Sequence, residues 1–563
     1  MSLDHTLEPI PEVKTRLSEQ GEAFALGFVL IAGLTLVTPI LSVVLNVPAL
    51  ISVALVGLLY GVVALLLRQV LAGLLVGFVV TAGFAADVPL ASIEYLNSIT
   101  GALGPELLLS QIPLLILFIL VVSTESHELI RERTLAETLF AAFVGWSVLA
   151  ALFGATARTD VALFFSLLMA QLLVVIVLFR YTIQQGILQF QTVVQIFIGT
   201  VFAQSLFAIA QFINGGTFGI STLGESGEET ISTFSFGPLG TLSTGTFVSG
   251  FTGRQFILAS LIILAVPILL AASIRSNGWL RVASLGGILA MILVLRATAG
   301  DAARGGLLVA GALFMVFTGY LYRTMLRNRI QYVLSEGTAE INVLFGKNTL
   351  LSGAASLFSL VLILYPSSES GASSVVTNVE NGGETTIPAA SSAQSTTTAA
   401  NDAGETTPQQ VDYVGSLLEN LSLPFFSLHN LGTRVQQYIS GLNIFVQHPL
   451  FGIGGGNFRY YATEYGVSQP LPLHNIYIAL LAETGLPGFL LYVGAVILTI
   501  WYGGRVVAER DRKSILLVGV LCGLVGYLSF GLFDVLQLIK PTSVFSFGLL
   551  SGAVLGKHRE EKQ

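Results

Sequence analysis

The chain has 563 residues, of which 53% are hydrophobic and only 10% charged, with a mean hydropathy of +0.80. A soluble domain carries about 25% charged residues, so this composition excludes a water-soluble globular protein. A single cysteine, Cys522, excludes a disulfide framework and a cysteine-based metal centre, and a net charge of −7 gives nucleic acid no basic surface to bind.

The fold class to expect is all-α, a polytopic integral membrane protein. A spanning helix needs about 20 mostly apolar residues, and about 14 stretches meet that need. They fall near 22–46, 48–67, 69–91, 108–124, 135–157, 160–179, 190–212, 255–274, 279–297, 304–322, 349–366, 475–502, 514–536 and 541–556. The first run follows a polar head, 1–21, with Lys14 and Arg16. It lacks an A-x-A-like cleavage site, so it reads as a retained span. An even number of spans puts both termini on one side, and the positive-inside rule makes that side cytoplasmic. With this orientation 19 of the 26 basic residues lie inside, including those of the tail 557–563. The outer side keeps Arg158, Arg254, Arg296, Arg304, Arg434, Arg459 and Lys540. Insertion bias does not explain these seven, and six are arginine, the side chain suited to bidentate phosphate recognition.

Eleven spans thus occupy 22–366 and three occupy 475–556, with a large outer segment between them. An earlier outer loop, about 213–253, is rich in Gly, Thr and Phe and carries Glu225. In the large segment, residues 367–408 hold 16 Ser and Thr and neither Lys nor Arg. Such a composition buries no core and predicts a disordered, solvated spacer. From 409 to 474 the pattern becomes helical. Val411, Val414, Leu417 and Leu418 suggest one amphipathic helix, and Val435, Tyr438, Ile439, Leu442 and Phe445 suggest a second over 432–446.

The segment ends in Pro449-Leu450-Phe451-Gly452-Ile453-Gly454-Gly455-Gly456-Asn457-Phe458. His474-Asn475-Ile476-Tyr477 follows, and then Glu483 with Gly485-Leu486-Pro487-Gly488. This succession resembles the shared C-terminal region of O-antigen ligases and O-antigen polymerases. In that family a PLxGxGxGxF turn precedes a His-Asn-hydrophobic-Tyr motif, an acidic residue and a Gly-x-x-Gly. The match covers roughly 430–490. Upstream, Ala303-Arg304-Gly305-Gly306 stands where the family has a Ser-Arg-Gly turn, and Gly245-Thr246-Phe247 is similar to a family motif before another span.

The residue types carry their own logic. A lipid-diphosphate donor presents two phosphates at the outer interface. An Arg near hydrocarbon needs an anionic partner, and guanidiniums sharing a diphosphate also stabilise the charge that develops on the leaving group. Arg304 and Arg434 are the first candidates, followed by Arg254 and Arg296; Arg158 and Arg459 read as interfacial anchors. The bland alternative pairs Arg304 with Asp301 as an anchor. His474 has an unperturbed pKa near 6.5, suited to taking a proton from a hydroxyl, and the resemblance implies a catalytic His at this point. Asn475 shares its motif. Glu483 is expected either to pair with an outer Arg and order the vestibule, or to act directly. The breaker at Gly485–Gly488 predicts a helix over 474–484 that caps the vestibule, with the span starting near 486. Gly454 and Gly456 serve a tight turn, or offer N–H groups that cradle phosphate. No Asp-x-Asp and no His/carboxylate cluster stands on the outer face, so neither a metal nor a cofactor is expected.

The resemblance therefore implies a metal-independent, inverting membrane glycosyltransferase acting in the cytoplasmic membrane with its site outside. Its donor is a glycan on a polyprenyl (undecaprenyl or dolichyl) diphosphate, and its acceptor is a glycolipid, glycan or protein. A polymerase of lipid-linked repeat units is the near alternative. A transporter for the same lipid-linked glycan is the alternative from another class, opposed by the few ionisable groups inside the spans.

Overall fold

The computed structural model describes residues 70–85, 87–89, 106–108, 110–220, 224–225, 232–235, 241–244, 248–276, 278–298, 301–336, 428–467, 471–510 and 514–562. The expected spans at 22–46, 48–67 and 349–366 lie outside them. So do the tail 1–21, the Ser/Thr-rich stretch, the helix near 411–418 and the 245–247 motif. Contacts divide the chain into two units, Met1–Tyr365 with Thr433–Gln563, and Pro366–Gly432. Of the second unit only the helical residues 428–432 are described.

The first unit is built on helices. Before the Gly-rich motif come α1 (Val70–Thr81), α2 (Gln111–Arg131), α3 (Leu135–Phe153), α4 (Thr159–Gln184), α5 (Phe190–Asn214), α6 (Gln255–Arg275), α7 (Trp279–Ala297) and α8 (Asp301–Glu336). From the motif helix onward come α9 (Leu428–Gln447), α10 (Phe458–Tyr461), α11 (Ile476–Arg510), α12 (Ile515–Phe530), α13 (Leu536–Ile539) and α14 (Pro541–Glu560). Seven described helices are long and apolar enough to cross a membrane: α3 to α7, the 302–321 part of α8, and α11. The chain is a multi-pass membrane protein.

The all-α class holds for the described residues, with two short antiparallel ladders in the connections, β1 (Asp87–Pro89) with β2 (Glu106–Leu108), and β3 (Ser232–Ser235) with β4 (Thr241–Thr244). The first corrects a boundary. The span expected over 69–91 ends as helix at Thr81, and the chain then turns into β1. Each ladder pairs strands of only three or four residues, too short for periodicity to reveal.

Helix α6 is the central post, with α5, α7, α8 and α12 packed on it. Glutamines on α5 tie down the turn that leads into it. Gln204 donates to the Gly83 carbonyl (3.0 Å) and accepts from the Phe251 N–H (2.8 Å). Gln211 accepts from the Gly250 N–H (2.9 Å) and donates to Glu225 (2.8 Å). Buried amides are thus satisfied between elements, as buried polar groups must be.

Helix α14 lies along α4, where Gly548, Gly552 and Gly556 form a stripe one turn apart. A Cβ at Gly552 would stand 2.5 Å from the Ile176 carbonyl, and one at Gly556 would stand 2.9 Å from that of Arg180. The lack of side chains lets the two backbones approach this closely. At this end of the bundle Arg180 is fully buried. Its Nε donates to Glu137 (2.7 Å) and its Nη1 to Gln184 (2.8 Å). Glu137 also closes a capping box with Thr134 at the start of α3. Arg559 reaches the Arg133 carbonyl (2.7 Å) nearby.

The opposite end carries the motif segment. The Ala155 N–H donates to the Gly452 carbonyl (3.1 Å), the Tyr461 hydroxyl to Ala155 (2.7 Å), and the Trp146 indole to Thr484 (2.9 Å). Asn457 joins Arg158 by two hydrogen bonds, accepting from its N–H (2.8 Å) and donating to its carbonyl (3.1 Å). The α3–α4 loop is therefore the floor on which the Gly-rich turn sits.

Candidate functional site

Helix α9 forms as expected, but its buried face differs from the apolar pattern in the sequence. Gln437, Ser440, Gly441 and Ile444 are buried, whereas Ile439, Leu442 and Val446 point outward with exposures of 54%, 43% and 73%. Burial follows the partner. Gly441 admits Leu473 and Ile478 against the α9 backbone, and the Ser440 hydroxyl donates to the Tyr465 carbonyl (2.8 Å). The face turned toward residues 473–478 is the polar one, and on it Arg434, Gln437 and Tyr438 fall at helical spacing.

His474 ends the loop before α11. Its Nδ1 lies 2.9 Å from Gln437 Oε1, and its main-chain N–H donates to the same oxygen (3.3 Å). The Tyr438 hydroxyl lies within hydrogen-bond reach of the His474 carbonyl (3.1 Å) and the Leu532 carbonyl (2.9 Å). Burial pushes the imidazole below its usual pKa; Asp534 draws it back up and Arg434 presses it further down. Tyr438 is raised, chiefly by burial, with Arg434 acting against that. Arg434, Tyr438, His474 and Asp534 are therefore electrostatic neighbours, although they come from three separate stretches of chain.

Asn475 is the cap of α11. Its Oδ1 accepts from the N–H groups of Tyr477 (2.9 Å) and Ile478 (3.0 Å), and its Nδ2 donates to the Leu532 carbonyl (3.0 Å). The Ile476 N–H donates to the Gly531 carbonyl (2.8 Å), so the His474 turn is fixed on the end of α12. The same end supports α8: a Cβ at Gly306 would stand 2.7 Å from the Gly526 carbonyl and 3.1 Å from Phe530 Cβ. Arg304, buried in the first turn of α8, and His474 thus flank one helix end. Arg296 is buried in the last turn of α7, and Arg254 holds the N-cap position of α6.

Glu483 is buried, and its carboxylate takes two main-chain donors from the Gly-rich turn: Gly456 N–H at 2.8 Å and Phe458 N–H at 3.1 Å. The Gly456 amide that sequence offered as a phosphate donor is held by this carboxylate. Gly454 packs on Thr156 and Ala162, with no room for a side chain. Two residues on, helix α11 breaks where the Gly-x-x-Gly predicts. Gly485 has φ 68° and ψ −178°, a conformation closed to other residues, and a Cβ there would stand 2.1 Å from the Leu450 carbonyl.

The arginines expected as surface anchors divide. Arg158 is half-buried and pairs with Asp160 at 2.6 Å. Arg459 is buried, with a relative exposure of 4%, and lies within electrostatic reach of Glu483 and Arg254. The sequence marks Arg459 only as an anchor and Tyr438 only as part of the amphipathic pattern, and it passes over Gln437 and Asp534. The signal for Arg459 was its place three residues after the last glycine of the turn; Gln437 and Asp534 had no signal until the helices were packed. Among the described residues, no group of three or more His, Cys, Asp or Glu is placed to hold a metal ion.

A family model described as O-antigen ligase matches residues 259–493. No curated protein matches the chain. The matched stretch contains Arg296, Arg304, Arg434, Arg459, His474 and Glu483; Arg254 lies just before it and Asp534 well after it.

Proposed function

We propose that this protein acts as a member of the O-antigen ligase family and moves a preassembled glycan from a polyprenyl diphosphate to a hydroxyl on a glycolipid, glycan or protein at the outer membrane face. The acceptor oxygen bonds to the anomeric carbon while the bond from that carbon to the diphosphate oxygen breaks. The electron pair leaves with the diphosphate, and the hydroxyl proton passes to His474. Direct displacement of this kind inverts the anomeric centre.

The observation that carries this reading is His474 held beside Arg434, inside the matched stretch and on the helix end shared with the Arg304 turn. The arginines add to it. Arg254 and Arg304 stand at helix N-termini, where the macrodipole favours an anion over a cation. A diphosphate bound there meets both the guanidiniums and the helix ends. We assign Arg304 and Arg434 to the diphosphate first, with Arg254 and Arg296 beside them. Glu483, Asn475, Gly454 and Gly456 act by holding the turn and the helix start.

Purified protein in liposomes with lipid-linked glycan tests the assignment through donor binding and single-turnover release of polyprenyl diphosphate. His474→Ala is expected to keep donor affinity and to lose about 10²–10⁴-fold in rate, the range for a general base. Arg304→Lys is expected to lose donor affinity, because a point charge does not replace the planar fork. A His474→Ala protein that binds donor poorly but turns over normally at saturation overturns the base assignment. In a deletion strain, accumulated intact lipid-linked chains indicate a ligase, and accumulated single repeat units indicate a polymerase.

A further inference from the structure

Gln437 occupies a place that the reaction scheme leaves unexplained. Its side chain is fully buried, three residues along α9 from Arg434. One amide atom lies 3.3 Å from the His474 main-chain nitrogen and 2.9 Å from His474 Nδ1. A main-chain N–H can only donate, so the amide atom facing it must be the oxygen. This removes the usual ambiguity between the oxygen and nitrogen of a glutamine. That oxygen cannot donate to Nδ1, so Nδ1 must carry the hydrogen. In neutral imidazole the other nitrogen, Nε2, then has the free lone pair.

We infer that Gln437 is a positioning residue that locks His474 in the Nδ1–H tautomer and leaves Nε2 as the proton acceptor. The proposal rests on His474 being the base and adds which atom does the work and what holds it there. Gln437 orients the ring through a neutral oxygen, adding no negative charge to a buried imidazole. The charged groups acting on the ring, Asp534 and Arg434, oppose one another, and Tyr438 lies on the adjoining turn of α9. The carboxylate of a hydrolase triad, by contrast, both orients its histidine and stabilises the cation. Here the two tasks are divided, with orientation given to an amide and charge balance to Asp534.

The other end of the amide fits the same assignment. Gln437 Nε2 is buried and has no hydrogen-bond partner among the described residues. An orphaned buried donor of this kind is costly until it finds an acceptor. The backbone N–H of His474 holds the amide by its oxygen, so the N–H₂ is presented as a donor beside the ring. A hydroxyl or ring oxygen of the bound glycan is the chemistry that satisfies it.

The test uses full-length protein in nanodiscs with 15N-labelled histidine. The His474 resonances are assigned by their loss in His474→Ala. Above the imidazole pKa, the expected spectrum shows a protonated Nδ1 and a bare Nε2. The opposite tautomer overturns the inference whatever the activity. Gln437→Met keeps the length and removes both polar atoms. It is expected to mix the two tautomers and to lower the single-turnover rate at saturating donor about 10–10³-fold. Gln437→Glu restores the acceptor and adds charge. It is expected to recover most of the rate, with the acid limb of the pH–rate profile moved to higher pH. A Gln437→Met protein with normal rate, normal pH profile and an unmixed Nδ1–H tautomer refutes the positioning role. A His474→Ala protein of normal rate sinks the base reading instead, and the tautomer spectrum stands apart from that result.

Discussion

Replacing Glu483 tests how the Gly-rich turn is held. Its carboxylate accepts two main-chain N–H groups, from Gly456 at 2.8 Å and Phe458 at 3.1 Å, in a buried setting. A hydrogen bond to a charged group contributes about 1.5–3 kcal/mol. Glu483→Ala removes both and strands two buried donors, so the turn should lose about 3–6 kcal/mol of local stability. Glu483→Gln keeps one accepting oxygen and sets an N–H₂ against the other donor. Its loss should be about half as large, ~1.5–3 kcal/mol. Whole domains are stable by about 5–15 kcal/mol, so the expected result is a turn that opens while the bundle stays folded. Hydrogen exchange at Gly456 and Phe458 reads this directly, with protection falling about 10²–10⁴-fold in the alanine protein. Protease nicking within 449–467 should rise in parallel. Unchanged exchange at both amides in Glu483→Ala refutes the argument. Full protection in Glu483→Gln together with complete loss of transfer refutes it as well, by showing that the carboxylate acts on substrate and not on the turn.

Other consequences are open to measurement. Transfer by the parent enzyme should rise with pH as the His474 imidazole loses its proton. Because burial lowers that pKa, the acid limb should lie below pH 6.5; Asp534→Asn removes an upward influence and should move the limb further down. A limb well above 6.5 in the parent contradicts this. Arg180→Met should cost about 3–5 kcal/mol in thermal stability by leaving Glu137 buried and unpaired, and Arg180→Met with Glu137→Met should cost less. A double variant less stable than either single one speaks against that balance. Sidedness can be read with single cysteines at exposed positions, since the native Cys522 is buried. In intact cells an impermeant thiol reagent should label a cysteine at Leu450 and spare one at Gln191; the reverse result inverts the orientation.

What the sequence made legible was what repeats locally. Apolar length marked α3 to α7 and α11, and the Gly485-Leu486-Pro487-Gly488 cluster marked the break in α11, because these properties belong to consecutive residues. The His-Asn-Ile-Tyr motif marked the start of α11 for the same reason. The contacts that assemble the site are of another kind. Asn457 meets Arg158, and Trp146 meets Thr484, across 299 and 338 residues of chain. Neither periodicity nor composition encodes such pairings. The α9 face was misjudged because apolar residues were assumed to mark the buried side. Inside a membrane protein the outward side is also apolar, so Ile439, Leu442 and Val446 give the same pattern without being buried. Gln437 was missed by the same assumption. Glu483 was expected to pair with an outer arginine or to act directly; Arg459 lies within its electrostatic reach, but the hydrogen bonds to the carboxylate come from main-chain amides that every sequence contains.

The glycine stripe of α14 against α4 also has a meaning in time. Gly548 fits against Leu172, and Gly552 against Ile176, contacts between the last long helix of the chain and one in its first third. Synthesis at about 5–20 residues per second separates these partners by roughly 20–75 s. Throughout that interval the face of α4 that will receive α14, with Arg180 at its end, is already made and still uncovered. The nascent chain therefore waits in the membrane with a groove shaped for a helix that does not yet exist. The groove closes when α14 arrives.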